Sequence, residues 1–208
     1  MNVAVLILVT VIWLGGVIFF YQRKIWIFFY VLGTIGFAAL FVFINRNVFH
    51  SEVFLAKSTA QSIHLLTNLV NIPTQVFEEA PGLLLVLVVV QREGWTALQI
   101  GVESSALLEI SVLTSLILFY PGWKLYERSW RILAGIILTW LANLIRMLMI
   151  VLMLHLLGKE VLVIAHTFLG KLIFFVMTIA IYWYLITLPS LKKIGENTRH
   201  RSTLENVQ

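Results

Sequence analysis

Cysteine is missing from this 208-residue chain, and so is aspartate, since all ten acidic residues are glutamate. The first absence excludes disulfides, thiol nucleophiles and cysteine-ligated metals. The second excludes a Ser-His-Asp triad within one chain. Charge is scarce as well: 12% of residues are charged against 60% hydrophobic, with a mean hydropathy of +0.95. A soluble domain of this size needs far more charge to clothe its surface, so lipid must cover much of it. The net charge of +5 does not point to nucleic acid. The basic residues form short clusters between apolar runs, which is the footprint of membrane topology.

Crossing roughly 30 Å of hydrocarbon takes about 20 helical residues. Five segments qualify: Val3–Phe20, Trp26–Ile44, Ser104–Tyr120, Ile132–Leu156 and Val161–Leu188, the third being short. The first lacks a basic leader and a small-residue cleavage site, so it reads as a retained helix. Between the spans, Arg23 and Lys24, the stretch from Lys124 to Arg131, and a tail with Lys192, Lys193, Arg199 and Arg201 are basic. Five helices put all of these on one side. Arg46, Lys57, Arg92 and Lys159, offset by glutamates, fall on the other. The positive-inside rule then sets the N-terminus outside and the C-terminus in the cytoplasm of a multi-pass cell-membrane protein. The fold expected is an all-α polytopic membrane protein, with residues 1–191 as one transmembrane domain and 192–208 as a cytoplasmic tail.

The long outer segment holds two smaller elements. From Val53 to Ile72, the residues Phe54, Ile63, Leu66, Leu69 and Val70 recur at roughly helical spacing among polar ones. They predict an amphipathic helix at the membrane interface, closed by Pro73. Leu83–Val90 and Trp95–Val102 are β-prone runs around Gln91-Arg92-Glu93-Gly94, which predicts a hairpin on the outer side. A sixth span is the alternative, but it would bury Arg92 and Glu93 and invert every charge cluster downstream.

A charged group near mid-bilayer costs at least about 2.5–3.5 kcal/mol, so each one requires a reason. Glu103, Ser104, Ser105, Glu109, Asn143, Arg146, His166 and Lys171 lie within or at the ends of the last three spans, mostly in the outer half. Ser104, Arg146 and His166 have the parts for acyl transfer. A hydroxyl needs a base such as imidazole, and a guanidinium in low dielectric can stabilise the oxyanion. Structural readings compete with this one: histidines near helix ends commonly serve as hydrogen-bonding residues. Glu109 and Lys171, at matched depth, or Glu109 and Arg146, could form an ion pair that ties helices together. A Ser104–Lys171 dyad would need a neutral lysine. His50, His64, His155 and His200 show no metal-ligand spacing, so neither metal nor cofactor is expected.

Glu103-Ser104-Ser105-Ala106, then Asn143-Leu144-Ile145-Arg146, then Ala165-His166 before Gly170, resemble in order and spacing the three motifs of the exosortase/archaeosortase family. The resemblance covers about residues 82–184, and the compact chain looks like the Gram-positive exosortase G type. It implies a cysteine-type transpeptidase or protease on the outer face of the membrane. The implied substrates are exported proteins with C-terminal sorting signals. By that resemblance Ser104 holds the nucleophile position, His166 the base and later acid, and Arg146 the oxyanion clamp. Glu103, Asn143 and Ser105 would support them. Two residues depart from the pattern. Ala106 replaces a glycine, and Ser104 stands where the family has its cysteine. Three origins fit the serine: an engineered Cys-to-Ser change that leaves an inactive enzyme, a native serine enzyme, or a pseudoenzyme that still binds substrate. The intact surrounding motif favours the first. The alternative from another class is a non-catalytic binding or assembly factor for exported protein or polysaccharide, with membrane lipid as a partner in either case. A small transporter would spread polar groups through both membrane halves.

Overall fold

The computed structural model describes residues 3–77, 86–92, 94–101, 104–193 and 195. Among the described residues, four helices are long and apolar enough to cross a membrane: α1 (Val3–Gln22), α2 (Trp26–Ile44), α5 (Leu125–Leu157) and α6 (Gly170–Tyr182) with its flanking π-helical turns. Their outward faces carry side chains such as Ile12, Ile27, Phe168 and Phe175, each more than half exposed. So much contiguous apolar surface is stable only against lipid. The chain is an all-α polytopic membrane protein.

Between these spans lie α3 (Ser51–Leu69), strands β1 (Thr74–Phe77), β2 (Val86–Arg92) and β3 (Gly94–Ile100), and α4 (Leu107–Phe119). The expected hairpin is present: β2 and β3 pair antiparallel in a register that runs from Val86↔Ile100 to Arg92↔Gly94. β1 adds a third strand on the outer edge of β2, from Thr74↔Val90 to Phe77↔Leu87. That strand escapes sequence reading because four residues after Pro73 carry no resolvable period of their own.

The amphipathic helix also exists, and its expected apolar residues divide, with Ile63 buried in the fold and others left on the outer surface. Glu52, Ala56, Thr59, Ala60, Ile63 and Thr67 are buried, whereas Phe54, Leu69 and Val70 are exposed. Small residues along that stripe let α3 approach α5 closely, and hydropathy gives them little weight. The helix stops before Pro73. Asn71 takes a left-handed conformation (φ 57°) while Asn71 N and Ile72 N donate to the carbonyls of Asn68 and Thr67, which is a Schellman closure.

The expected span Ser104–Tyr120 is a helix of 13 residues, about 20 Å long and short of a full crossing on its own. Seven of its residues are buried against neighbouring elements. Gly33 of α2 lets the ring of Phe119 so close that a Cβ there would sit 2.2 Å from it. Small polar residues face the interior: Ser111 and Ser115 donate back to the carbonyls of Leu107 and Val112, which satisfies each hydroxyl without a partner helix. α5 is the opposite case. Its 33 residues span about 50 Å, well beyond the hydrocarbon thickness. Its last turns, Met147 to Leu154, pack with Ala56, Ala60 and Ile63 of α3 and Leu98 and Ile100 of β3. The sheet and α3 therefore form a cap on one end of the helix bundle.

The opposite end collects the basic residues. Phe29 and Tyr30 at the start of α2 meet Phe119 and Tyr120 at the end of α4. Arg128 donates to the carbonyls of Leu118 and Tyr120 at 2.7 and 2.9 Å, closing the C-terminus of α4. Lys193 donates to the carbonyl of Gly122 and lies 3.9 Å from Glu127. Three loops far apart in sequence thus bring their cations to one end, as the topology requires. The last helix runs through Lys193, two residues past the expected end of the transmembrane domain at 191. The rest of that tail, apart from residue 195, lies outside the described residues.

Candidate functional site

The site forms where the cap meets the bundle, on the turn that leads from β3 into α4. Ser104 N donates to Gly101 O at 3.0 Å, the Ser105 hydroxyl accepts from Leu107 N at 3.3 Å, and Ala106 is left-handed at φ 62°. Ser104, Ser105 and Ala106 are all buried. A left-handed alanine costs roughly 1–2 kcal/mol, so position 106 favours glycine. The alanine there is more than a difference in packing size. It holds a strained strand-to-helix turn.

Asn143 on α5 binds this turn directly. Its Nδ2 donates to the carbonyl of Ser104 at 2.8 Å, joining residues 39 apart in sequence, and its side chain is fully buried. One helical turn on, Arg146 is 6% exposed. Its guanidinium lies over the ring of Phe174 at 4.8 Å and touches the sulfur of Met147. Phe174 in turn packs with Ala106 and Ala142, so the turn, Asn143 and Arg146 occupy one neighbourhood. Two polar atoms here, Asn143 Oδ1 and Arg146 Nε, are buried with no hydrogen-bond partner among the described residues.

Glu109 exerts an electrostatic pull on Arg146. Both line a cavity of about 640 Å³ between α4 and α6, together with Lys171, Thr167, Phe168 and Thr178. Sequence reasoning placed Glu109, Arg146 and Lys171 at one depth. That they share a single cavity with Thr167 and Thr178 was not legible, because the facing of α6 depends on the π-helical turn before it.

His166 lies in that turn, Ile164–Leu169, just ahead of α6. Ala165 beside it is fully buried and packs with Ile150, one turn further along α5 than Arg146. His166 is thereby set about one turn closer to the cap than Arg146, and its neighbour Thr167 lines the cavity. Neither Ser104 nor His166 contributes to the cavity wall. Glu103 lies outside the described residues. The structure thus brings Ser104, Asn143 and Arg146 together and sets His166 on the adjoining turn.

Gly170 makes that placement possible. A Cβ there would come 2.9 Å from both the carbonyl of Ala165 and the end of the Ile150 side chain. The isoleucine can swing away, but the carbonyl cannot. Gly170→Ala is therefore expected to cost about 1–3 kcal/mol by overpacking, which lowers the unfolding midpoint in detergent by several degrees. A midpoint equal to wild type would mean that the turn carrying His166 is not held by this contact.

No family model, curated protein or solved structure matches the chain.

Proposed function

We propose that the protein is a membrane-embedded acyl transferase of the exosortase kind, acting on C-terminal sorting signals of exported proteins at the outer side of the cell membrane. The observation that carries the reading is the Asn143–Ser104 bond. It joins two of the three motifs at the same buried turn, with an unsaturated guanidinium one helical turn away. In this reading the residue at 104 attacks a peptide carbonyl and its proton passes to His166. The oxyanion is met by Arg146, whose Nε has no described partner to lose. His166 then returns the proton to the leaving amine, and an incoming acceptor releases the acyl group. Asn143 positions the turn. As a serine, residue 104 is a far weaker nucleophile than the family's cysteine, and the form with Ser104 is expected to hold substrate without turning it over.

A second reading, a non-catalytic binding or assembly factor, is favoured by a different observation. The cavity that holds the charged side chains does not include Ser104 or His166. Both readings need the cap outside. A single cysteine introduced at Arg92, in the hairpin, should react with an impermeant maleimide in intact cells, and the absence of native cysteines leaves no background. Reaction only after permeabilisation would turn the molecule over and remove the site from exported substrates.

A further inference from the structure

A second candidate site lies at the junction of α2 and α3. Glu52 is 7% exposed, and its Oε2 is buried without a hydrogen-bond partner among the described residues. It lines a cavity of about 510 Å³ with Arg46, Asn47, Ala39, Val42 and Phe43. The junction is built rather than loose. It comprises a π-helical turn, Asn45–Phe49, and a left-handed His50 at φ 49°. Asn45 donates to Phe41 O at 2.8 Å while accepting from the Ser51 hydroxyl at 2.7 Å. Asn47 donates to Phe43 O at 2.7 Å, which leaves its carbonyl oxygen for the cavity.

Glu52 lies in the first turn of α3, where the helix dipole favours a carboxylate by about 0.3–1 kcal/mol. That cannot offset the burial of an oxygen with no donor, which costs more. A primary ammonium supplies what this carboxylate lacks, N–H donors together with a positive charge. Arg46, exposed at the cavity edge, asks for an anion a few bonds away. On the same π-helical turn and in the first turn of α3, Val48, Phe49 and Phe54 are 63–73% exposed, and such side chains are at home among acyl chains and headgroups. We propose that this cavity binds a zwitterionic aminophospholipid from the surrounding leaflet, with its primary ammonium on Glu52 and Asn47 and its phosphate on Arg46. The inference rests on the membrane location alone and is independent of any chemistry at position 104.

The test is native mass spectrometry of the full chain in micelles doped with equal amounts of phosphatidylethanolamine, phosphatidylcholine and phosphatidylglycerol of the same chains. Wild type should retain phosphatidylethanolamine about tenfold over the other two, the value of one charge-assisted hydrogen bond. A quaternary ammonium cannot donate that bond, and glycerol carries no charge. Glu52→Gln should bring the ratio to about one. Arg46→Gln should lower retention of all three lipids by a similar factor while the preference persists. If Glu52→Gln is not monodisperse, the Arg46→Gln pattern decides, because that side chain is exposed. Free phosphoethanolamine should not displace the lipid at equal concentration. Equal retention of ethanolamine and choline lipids by wild type, a preference for phosphatidylglycerol, an unchanged ratio in Glu52→Gln, or displacement by the free headgroup would each overturn the proposal.

Discussion

Ser104→Cys is expected to produce a thiol whose alkylation rises near neutral pH, with an inflection well below the unperturbed value of about 8.5. The buried guanidinium of Arg146, one turn beyond the Asn143 that holds residue 104, supplies a positive field in a low-dielectric setting. A fall of about 1.5 pKa units takes the thiolate fraction at pH 7 from a few per cent to about half, a gain of roughly tenfold in reactive species. Added to the cysteine variant, Arg146→Ala and His166→Ala should each move the inflection back up. Rates depend on access to a buried site, so the position of the inflection is the quantity to compare. The same variant, co-expressed with exported proteins that carry C-terminal sorting signals, should form an acyl adduct visible by intact mass. A cysteine at 104 that titrates like a free thiol, indifferent to both partners, would leave only the binding-factor reading.

Arg146→Met should be the most destabilising single change in the bundle. Arg146 is 6% exposed and shares a cavity wall with Glu109, its expected ion-pair partner, and with Lys171. Removing one member of such a pair leaves a charge without compensation, which costs about 3–5 kcal/mol, whereas replacing both costs much less. In a protein of this size that corresponds to roughly 6–20 °C of midpoint. Arg146→Met combined with Glu109→Leu should recover most of the loss, and a double-mutant cycle measures the coupling directly. Lys171→Met should matter less, since Lys171 is exposed at the cavity. Additive effects of Arg146→Met and Glu109→Leu would show that the two charges do not stabilise each other.

Much of the architecture was legible along the chain. The spans follow from summed transfer free energies of consecutive residues, a local quantity, and α1 and α2 match their expected ranges closely, while α5 contains its expected range and starts seven residues earlier. The hairpin was legible because Gly94 and the valine-rich run are local signals of turn and strand. Depth was legible too, since helical rise is constant, so Glu109, Arg146 and Lys171 could be set at one level before any contact was known.

Facing and joining were decided only by the folded chain. α3 buries Ala56, Thr59 and Ala60 in the fold and leaves Phe54 and Leu69 exposed, because close approach to α5 rewards small side chains that a hydropathy count passes over. α4 is two-thirds of a crossing and packs mainly on neighbouring helices, with Leu108 and Val112 left exposed. Ala106 is left-handed because the turn from β3 must reverse within a few residues, and no property of alanine announces that. The bond from Asn143 to Ser104 spans 39 positions. What by itself the sequence determined is the solvent, lipid, and the end of the bundle at which each charge lies, because both are sums over neighbours in the chain. Which polar side chains meet is set by helix rotation and by the π-helical turn at Ile164–Leu169, and those depend on packing between residues far apart in sequence.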